Sequence, residues 1–101
     1  MSDVIIMNIG MFDKDTKRQE LSDAEFISAI YNYMDCTITH TTGIYTHDDG
    51  TRVVEPSIRV EIYDKSYDDC CIIAKRLCKD LNQECIVVNE ITIDRCEFIG
   101  E

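Results

Sequence analysis

The chain has two histidines, which could act in acid–base catalysis or bind a metal. His40 lies in a threonine-rich stretch and is a candidate acid or base, with Glu55 or Glu61 as its partner across a hairpin. His47 precedes two aspartates, but no second histidine or cysteine stands at the spacing of a metal site. A polar turn is the better interpretation of that segment, so we expect no metal.

The adjacent cysteines Cys70 and Cys71 stand at the start of a predicted helix, where the helix dipole lowers a thiol pKa. Asp68 and Asp69 oppose that effect because they favour the neutral thiol. The chain has none of the C-x-x-C, H-E-x-x-H, G-x-S-x-G or phosphate-loop motifs. We therefore expect a protein that is not an enzyme and that has no catalytic residues and no cofactor.

The net charge of the chain is strongly negative. Twenty acidic residues against ten basic residues give a formal charge of −10. Such a charge repels nucleic acid and anionic membranes and favours a basic protein partner, although it also simply keeps a small protein in solution. The only basic cluster is Lys14, Lys17 and Arg18, which is either an anion site or, more in keeping with its turn-like surroundings, a solvated loop.

The length of 101 residues predicts a single domain covering residues 1–101. The first ten residues lack the pattern of a secretory signal, and no run of about 18 apolar residues is present. We therefore expect a cytoplasmic protein in which all six cysteines are free thiols. Four of them fall in stretches that resemble core, namely Cys70, Cys78, Cys85 and Cys96.

Seven segments carry strand or helix signals. An apolar strand over residues 4–11 is followed by a helix with Ser22 as N-cap and Glu25 as the reciprocal capping-box residue. A β-branched strand from Cys36 and an alternating strand over residues 51–63 flank the turn signal at Asp49-Gly50. A helix from Ser66, a strand over residues 85–88 and an extension or edge strand over residues 91–99 complete the chain.

This order predicts an α+β fold of the ferredoxin-like βαββαβ class. We expect a four-stranded antiparallel sheet with both helices on one face and a long hairpin between the second and third strands. The alternation of the third strand directs Val54 toward the core with Ile58, Val60 and Ile62. Pro56 falls in the same set and cannot donate to a ladder, so the hairpin is expected to extend beyond its neighbour.

The charged side of the hairpin is the candidate binding surface. It is either a partner or a ligand site, and its residues are Tyr45, Asp48, Asp49, Glu55, Arg59, Glu61 and Tyr63.

Three stretches carry a resemblance: SDAEF, GIYTHDDGTRVVEPSIRVEI and LNQECIVV. They resemble small ferredoxin-like proteins of a family of unknown function, with Gly43, Asp49-Gly50, Glu55, Ser57 and Gln83-Glu84 as the shared positions. The chain is also similar to short uncharacterised proteins of prophages and mobile elements in anaerobic Gram-positive bacteria. The resemblance implies the fold and a mobile-element origin, but no activity.

Two functional hypotheses follow. The leading one is a non-enzymatic phage or mobile-element inhibitor, similar to an anti-CRISPR protein, that occludes a basic nucleic-acid-processing defence protein of the host. The alternative is a dimer whose two sheets enclose a pocket for a metabolite or nucleotide. In that alternative the pocket is lined by His40, Tyr45, Glu55, Arg59 and Glu61, and Arg59 anchors a carboxylate or phosphate.

Overall fold

The structure is a computed structural model that describes residues 2–46 and 49–100. Its elements are β1 (Ser2–Gly10), α1 (Asp23–Tyr31), β2 (Thr37–Thr46), β3 (Arg52–Ile62), α2 (Tyr67–Asp80) and β4 (Val87–Ile93). The strands form one antiparallel sheet in the order β2-β3-β1-β4. The predicted α+β ferredoxin-like βαββαβ fold is confirmed.

The core lies between the two helices and one face of the sheet. Alternate residues of the central strands β1 and β3 point toward the helices, because successive side chains of a strand lie on opposite faces. Each fully buried aliphatic side chain contributes roughly 1.5–3 kcal/mol. The most deeply buried side chains are Ile5, Met7, Ile9, Met11, Phe26, Ile30, Ile58, Val60, Ile62, Cys70 and Leu77.

Both helices begin where the sequence predicts. Ser22 accepts a hydrogen bond from the Glu25 N–H at 3.1 Å, and the Glu25 carboxylate accepts one from the Ser22 N–H at 3.3 Å, which completes the capping box. Ser66 accepts from the Asp69 N–H at 3.1 Å. These caps satisfy amide groups that have no partner inside the helix.

The β2–β3 hairpin extends beyond the rest of the sheet. Its ladder continues to the pair Thr46 and Arg52, whereas β1 pairs with β3 only as far as Gly10 and Ser57. Pro56 lies at this boundary, as predicted. The radius of gyration is 14.6 Å, against about 13 Å for a compact domain of this size.

One prediction about the hairpin is wrong. Val54 was expected in the core, but it is 61% exposed, and its cross-strand partner Ile44 is 59% exposed. Both lie on the helix side of the sheet at a level that the helices do not reach.

The C-terminal part of the chain also departs from expectation. Cys85, predicted to be in the core, is exposed, although all six cysteines are free as expected. The predicted continuation of strand structure to Ile99 is wrong, since residues 95–100 have no regular structure. Among the described residues, no helix is long and apolar enough to cross a membrane.

Candidate functional site

The candidate site is built around Glu55, a buried carboxylate on the sheet surface opposite the helices, which we call the open face. Glu55 lies in β3 and is only 6% exposed. One carboxylate oxygen accepts a hydrogen bond from the Phe12 N–H at 3.0 Å, just after β1 ends. The Tyr45 side chain of β2 also forms a hydrogen bond with the carboxylate. Hydrogen-bond partners from β2 and from the segment after β1 therefore fix the position of this carboxylate.

Two glycines leave space on the open face, Gly10 for the Glu55 carboxylate and Gly43 for the neighbouring Ser57 hydroxyl. A methyl group added at Gly10 would lie 2.8 Å from Cδ and 2.9 Å from Oε2 of Glu55. A methyl group added at Gly43, the cross-strand partner of Glu55, would lie 2.8 Å from the Ser57 hydroxyl. Glycine within a strand often marks such a close approach. The open face therefore has a recess at Glu55 where most sheets would carry side chains.

The environment of Tyr45 also reflects the buried charge. Burial, followed by the hydrogen bond to Glu55 and its negative charge, raises the pKa of Tyr45 to about 12. The nearby Cys85 and Glu84 contribute in the same direction. Tyr45 therefore stays protonated at neutral pH and retains its hydroxyl hydrogen as a donor.

A cleft of about 850 Å³ opens over this recess. Its volume is within the usual range for sites that bind small organic molecules. The walls come from β1, the hairpin, the loop after β1 and the loop before β4. The lining residues include Asn8, Gly10, Phe12, Lys14, Lys17, Gly43, Tyr45, Glu55, Ser57, Arg59, Gln83, Glu84, Cys85 and Val87.

The cleft contains charges of both signs. Lys14 and Lys17 lie in the loop after β1, and Arg59 lies farther along β3, while Glu55 and Glu84 supply negative charge. The Arg59 Nε is 3.3 Å from a Glu61 carboxylate oxygen. Such a lining suits a ligand that has both cationic and anionic groups. The basic cluster interpreted above as a solvated loop therefore also contributes to the cleft wall.

The structure brings some of the sequence-predicted site residues together and separates others. Tyr45, Glu55 and Arg59 line the same cleft. Tyr63 lies outside it and donates its hydroxyl to Glu61 at 3.2 Å, while Asp49 accepts from the Thr51 N–H in the hairpin turn. His47 and Asp48 lie outside the described residues. A binding role for any of these side chains remains a prediction.

The predicted pairing of His40 with Glu55 or Glu61 is wrong. His40 pairs across the ladder with Ile58 and therefore lies on the helix side of the sheet, whereas the carboxylates lie on the open face. Its Nε2 is 3.4 Å from an Asp23 carboxylate oxygen of α1.

Three contributors to the site were missed from the sequence. They are Gly10, Phe12 and Gln83, of which Gln83 donates its side-chain amide to the Phe12 carbonyl at 2.9 Å. The signal that was available is the interruption of the apolar first strand by Asn8 and Gly10, which places small and polar groups on its open face. The role of Phe12 has no sequence signal, because its main chain makes the contacts.

No set of three His, Cys, Asp or Glu side chains within residues 2–46 and 49–100 is arranged to hold a metal ion.

Comparisons with solved structures support the fold. A phage SAM lyase in its apo state superimposes with a TM-score of 0.61 at 18% identity, covering 95% of this chain and 93% of that one. A DUF3240 family protein from Shewanella baltica OS155 gives a TM-score of 0.58 at 6% identity, covering 99% of both chains. No curated protein sequence matches the chain.

The family comparison is more specific than the fold. Residues 11–99 match the S-Adenosylmethionine lyase family. Because this family is defined by an enzymatic activity, the prediction of a non-enzymatic inhibitor that occludes a defence protein is wrong, and so is the expectation that the protein is not an enzyme. The segments behind the earlier resemblance, including the hairpin and the Gln83-Glu84 pair, lie within the matched range. The chain belongs to the S-adenosylmethionine lyase family.

Proposed function

We propose that this protein cleaves S-adenosylmethionine in the cleft over Glu55. The observation that carries the proposal is a nearly fully buried carboxylate, held by the Phe12 N–H and by Tyr45 at the base of a ligand-sized cleft. Burying a carboxylate is costly unless hydrogen bonds compensate it, and a hydrogen-bonded carboxylate in a ligand-sized cleft is a candidate for substrate binding. Membership of the lyase family supports S-adenosylmethionine as the substrate.

The charges of the cleft complement those of the substrate. S-adenosylmethionine carries a sulfonium, an ammonium and a carboxylate, together with the ribose hydroxyls and an adenine ring. In this proposal Glu55 accepts hydrogen bonds from the donor groups of the substrate, and a cation among Lys14, Lys17 and Arg59 faces its carboxylate. The Tyr45 ring offers an apolar and π-rich surface at the same place.

The chemistry of a sulfonium limits what Glu55 does. When a carbon–sulfur bond breaks, its electron pair returns to sulfur and the positive charge there disappears. A carboxylate against the sulfur would therefore stabilise the substrate more than the transition state. We assign Glu55 to groups that do not lose charge in the reaction, the ammonium or the ribose hydroxyls, so that it orients the substrate.

A lyase breaks this bond without adding water. The open cleft must therefore hold the substrate in one of two conformations. In the first, an internal group of the substrate bonds to the carbon next to sulfur as the carbon–sulfur bond breaks. In the second, the methionyl side chain of the substrate loses a proton to solvent as that bond breaks. Either route gives a neutral thioether as one product. Preorganisation by fixed donors and acceptors is the contribution that this small sheet offers.

The biological setting follows from the resemblance to phage proteins. We propose that the protein is encoded by a phage or mobile element and acts against host defence by removing S-adenosylmethionine. The anti-defence role is retained in this form, with small-molecule cleavage in place of occlusion. The expected basic protein partner belonged to the occlusion hypothesis and has no part in this proposal.

We retain the homodimer as a proposal for the same surface. Val87 and Ile91 of β4 are 53% and 44% exposed, and their register with Asn8 and Val4 places them on the open face. A second copy covering that face would remove this apolar surface from water and narrow the cleft.

The proposal is tested by incubating the purified protein with S-adenosylmethionine and separating the products by liquid chromatography with mass spectrometry. Wild type should convert the substrate to a thioether product, and Glu55→Gln should be slower by about a hundredfold. Glu97→Gln is the matched control, because Glu97 is an exposed glutamate outside the cleft. No conversion by wild type, or equal rates for wild type and Glu55→Gln, would contradict the proposal.

A further inference from the structure

Gln83 is a buried polar side chain in the turn between α2 and β4. It is only 8% exposed, and its amide nitrogen donates to the Phe12 carbonyl at 2.9 Å and, more weakly, to the Leu81 carbonyl at 3.5 Å. Its own N–H donates to the Cys78 carbonyl at 2.8 Å. Because hydrogen bonds hold both its main chain and its side chain, Gln83 can fix the position of the Phe12 carbonyl that it contacts.

Phe12 connects Gln83 to the carboxylate of the site. Its carbonyl accepts from Gln83, and its N–H donates to Glu55 at 3.0 Å. The preceding residue still follows the sheet, since the Met11 N–H donates to the Pro56 carbonyl at 2.9 Å. Beyond that point β1 has ended, and no ladder holds Phe12. The peptide after Phe12 is held at two points, because the Asp13 N–H donates to the Arg18 carbonyl at 2.8 Å while the Phe12 carbonyl accepts from Gln83. Of these two bonds, only the one from Gln83 ties Phe12 to the turn before β4, so the position of the Phe12 N–H depends in part on it.

A second contact joins the same two loops without involving Phe12. The Asn82 carbonyl accepts from the Lys14 N–H at 3.0 Å, and the Asn82 side chain donates to Asp13 at 2.8 Å and to Asp15 at 2.9 Å. These bonds keep the loops together when the Gln83 amide is removed. Loss of that amide should therefore shift Phe12 locally rather than release the whole loop.

We propose that Gln83 is a positioning residue of the proposed lyase site: through Phe12, it holds the Glu55 carboxylate in the geometry that the reaction requires. The predicted effect of Gln83 on the cleavage rate rests on the proposed function. The predicted effect of Gln83 on the position of the Glu55 carboxylate does not. A misplacement on the order of 1 Å in such a constellation lowers the rate by about a hundredfold. Gln83 lines the cleft wall, and its amide nitrogen is directed at the main chain of Phe12.

The first variant is Gln83→Met, which keeps the length of the side chain and removes the donor. Its kcat/KM on S-adenosylmethionine should fall by tenfold to about a hundredfold. Asn82→Gly is the comparison, because it removes the side-chain bonds to Asp13 and Asp15, retains the positive φ of 50° at that position and leaves the Phe12 bonds in place. It should lower the melting temperature with a much smaller effect on kcat/KM.

The second variant, Gln83→Glu, supplies a readout that a merely structural role would not give. The carboxylate form cannot donate to the Phe12 carbonyl, whereas the protonated form can. Its rate relative to wild type, measured at each pH, should therefore rise as the pH falls through the titration of the new carboxyl. Gln83→Met should show no such recovery.

A third readout does not depend on activity. Because Glu55 helps to hold the pKa of Tyr45 at about 12, displacing the carboxylate should lower that pKa. The titration is measured by ultraviolet absorbance of tyrosinate, as the difference between each protein and its Tyr45→Phe derivative. A lowered Tyr45 titration in Gln83→Met supports the inference even if wild type does not cleave the substrate.

The inference is overturned if folded Gln83→Met has both the wild-type kcat/KM and the wild-type Tyr45 titration. If Gln83→Met does not fold, Gln83→Glu decides the question, and a relative rate and a Tyr45 titration equal to those of wild type at all pH values would overturn the inference.

Discussion

The substitution Gly10→Ala tests the packing around the buried carboxylate. The added methyl group would overlap the Glu55 carboxylate, with Cδ at 2.8 Å and Oε2 at 2.9 Å. Real Cβ atoms essentially never approach other atoms to less than 3.0 Å, so the carboxylate must move. Moving it stretches or breaks its hydrogen bonds with the Phe12 N–H and with Tyr45.

The expected change in stability combines two opposite effects. Losing one hydrogen bond to a charged group costs about 1.5–3 kcal/mol. Alanine in place of glycine within a strand recovers about 0.5–1 kcal/mol of backbone entropy. The net loss is about 1–2 kcal/mol, which for a domain of this size lowers the melting temperature by roughly 5–15 °C.

The assay pairs thermal unfolding with turnover of S-adenosylmethionine. Gly10→Ala should lower the melting temperature and reduce the rate by about a hundredfold. Gly43→Ala is the matched variant, because its methyl group meets only the Ser57 hydroxyl closely and lies 3.9 Å from Cγ of Glu55. It should show smaller losses in both measurements. A Gly10→Ala protein with unchanged or raised stability and wild-type turnover would refute this account of the recess.

Four other predictions follow, two for Tyr45 and one each for the start of α1 and for the open face. Glu55→Gln should lower the pKa of Tyr45 from about 12 toward 10, but only in part because burial is the larger cause, as followed by ultraviolet titration against Tyr45→Phe derivatives. Because the pKa of Tyr45 is raised in the folded state, its contribution to stability is present below about pH 10 and is lost as the pH rises through 12. The denaturant midpoints of wild type and Tyr45→Phe should therefore converge over that interval. A difference between the two midpoints that stays constant with pH would contradict this prediction. Ser22→Ala removes the N-cap of α1 and should cost about 1 kcal/mol in urea unfolding while turnover is retained. If the open face is a subunit interface, Arg59→Ala combined with Glu61→Ala should lower the molar mass found by size-exclusion chromatography with light scattering, and an unchanged mass would count against that interface.

The fold is predictable from the sequence because local signals and periodicity agree. The capping box at Ser22 and Glu25 fixes the start of α1, and the stripe from Cys70 to Leu81 identifies the buried side of α2. Alternation along β3 separates its two faces correctly as far as Ile58. It fails at Val54, because alternation gives the direction of a side chain but not whether another layer lies above it. Whether a helix covers Val54 depends on the length of the helices relative to the hairpin, which is a property of the tertiary structure.

The site is predictable only in part. Alternation along the hairpin predicts Tyr45, Glu55 and Arg59 on one face, and all three line one cleft in the structure. The burial of Glu55 does not follow from its own strand, since it depends on Gly10 and on the main chain of Phe12, which are far away in sequence.

The catalytic assignment was missed for a related reason. The prediction of a non-enzymatic protein relied on the absence of familiar motifs, but the reaction that we propose, driven by the leaving ability of a sulfonium, needs no nucleophile or metal from the protein. A fixed carboxylate and a shaped cleft leave no distinctive short motif.

The central claim is most directly tested by incubating wild type with S-adenosylmethionine in water enriched in heavy oxygen and analysing the products by mass spectrometry. The account predicts a thioether and a second fragment whose masses sum to that of the substrate, with no heavy oxygen gained during cleavage at the earliest time points. An intact substrate, or heavy oxygen incorporated into a fragment as it forms, would contradict it.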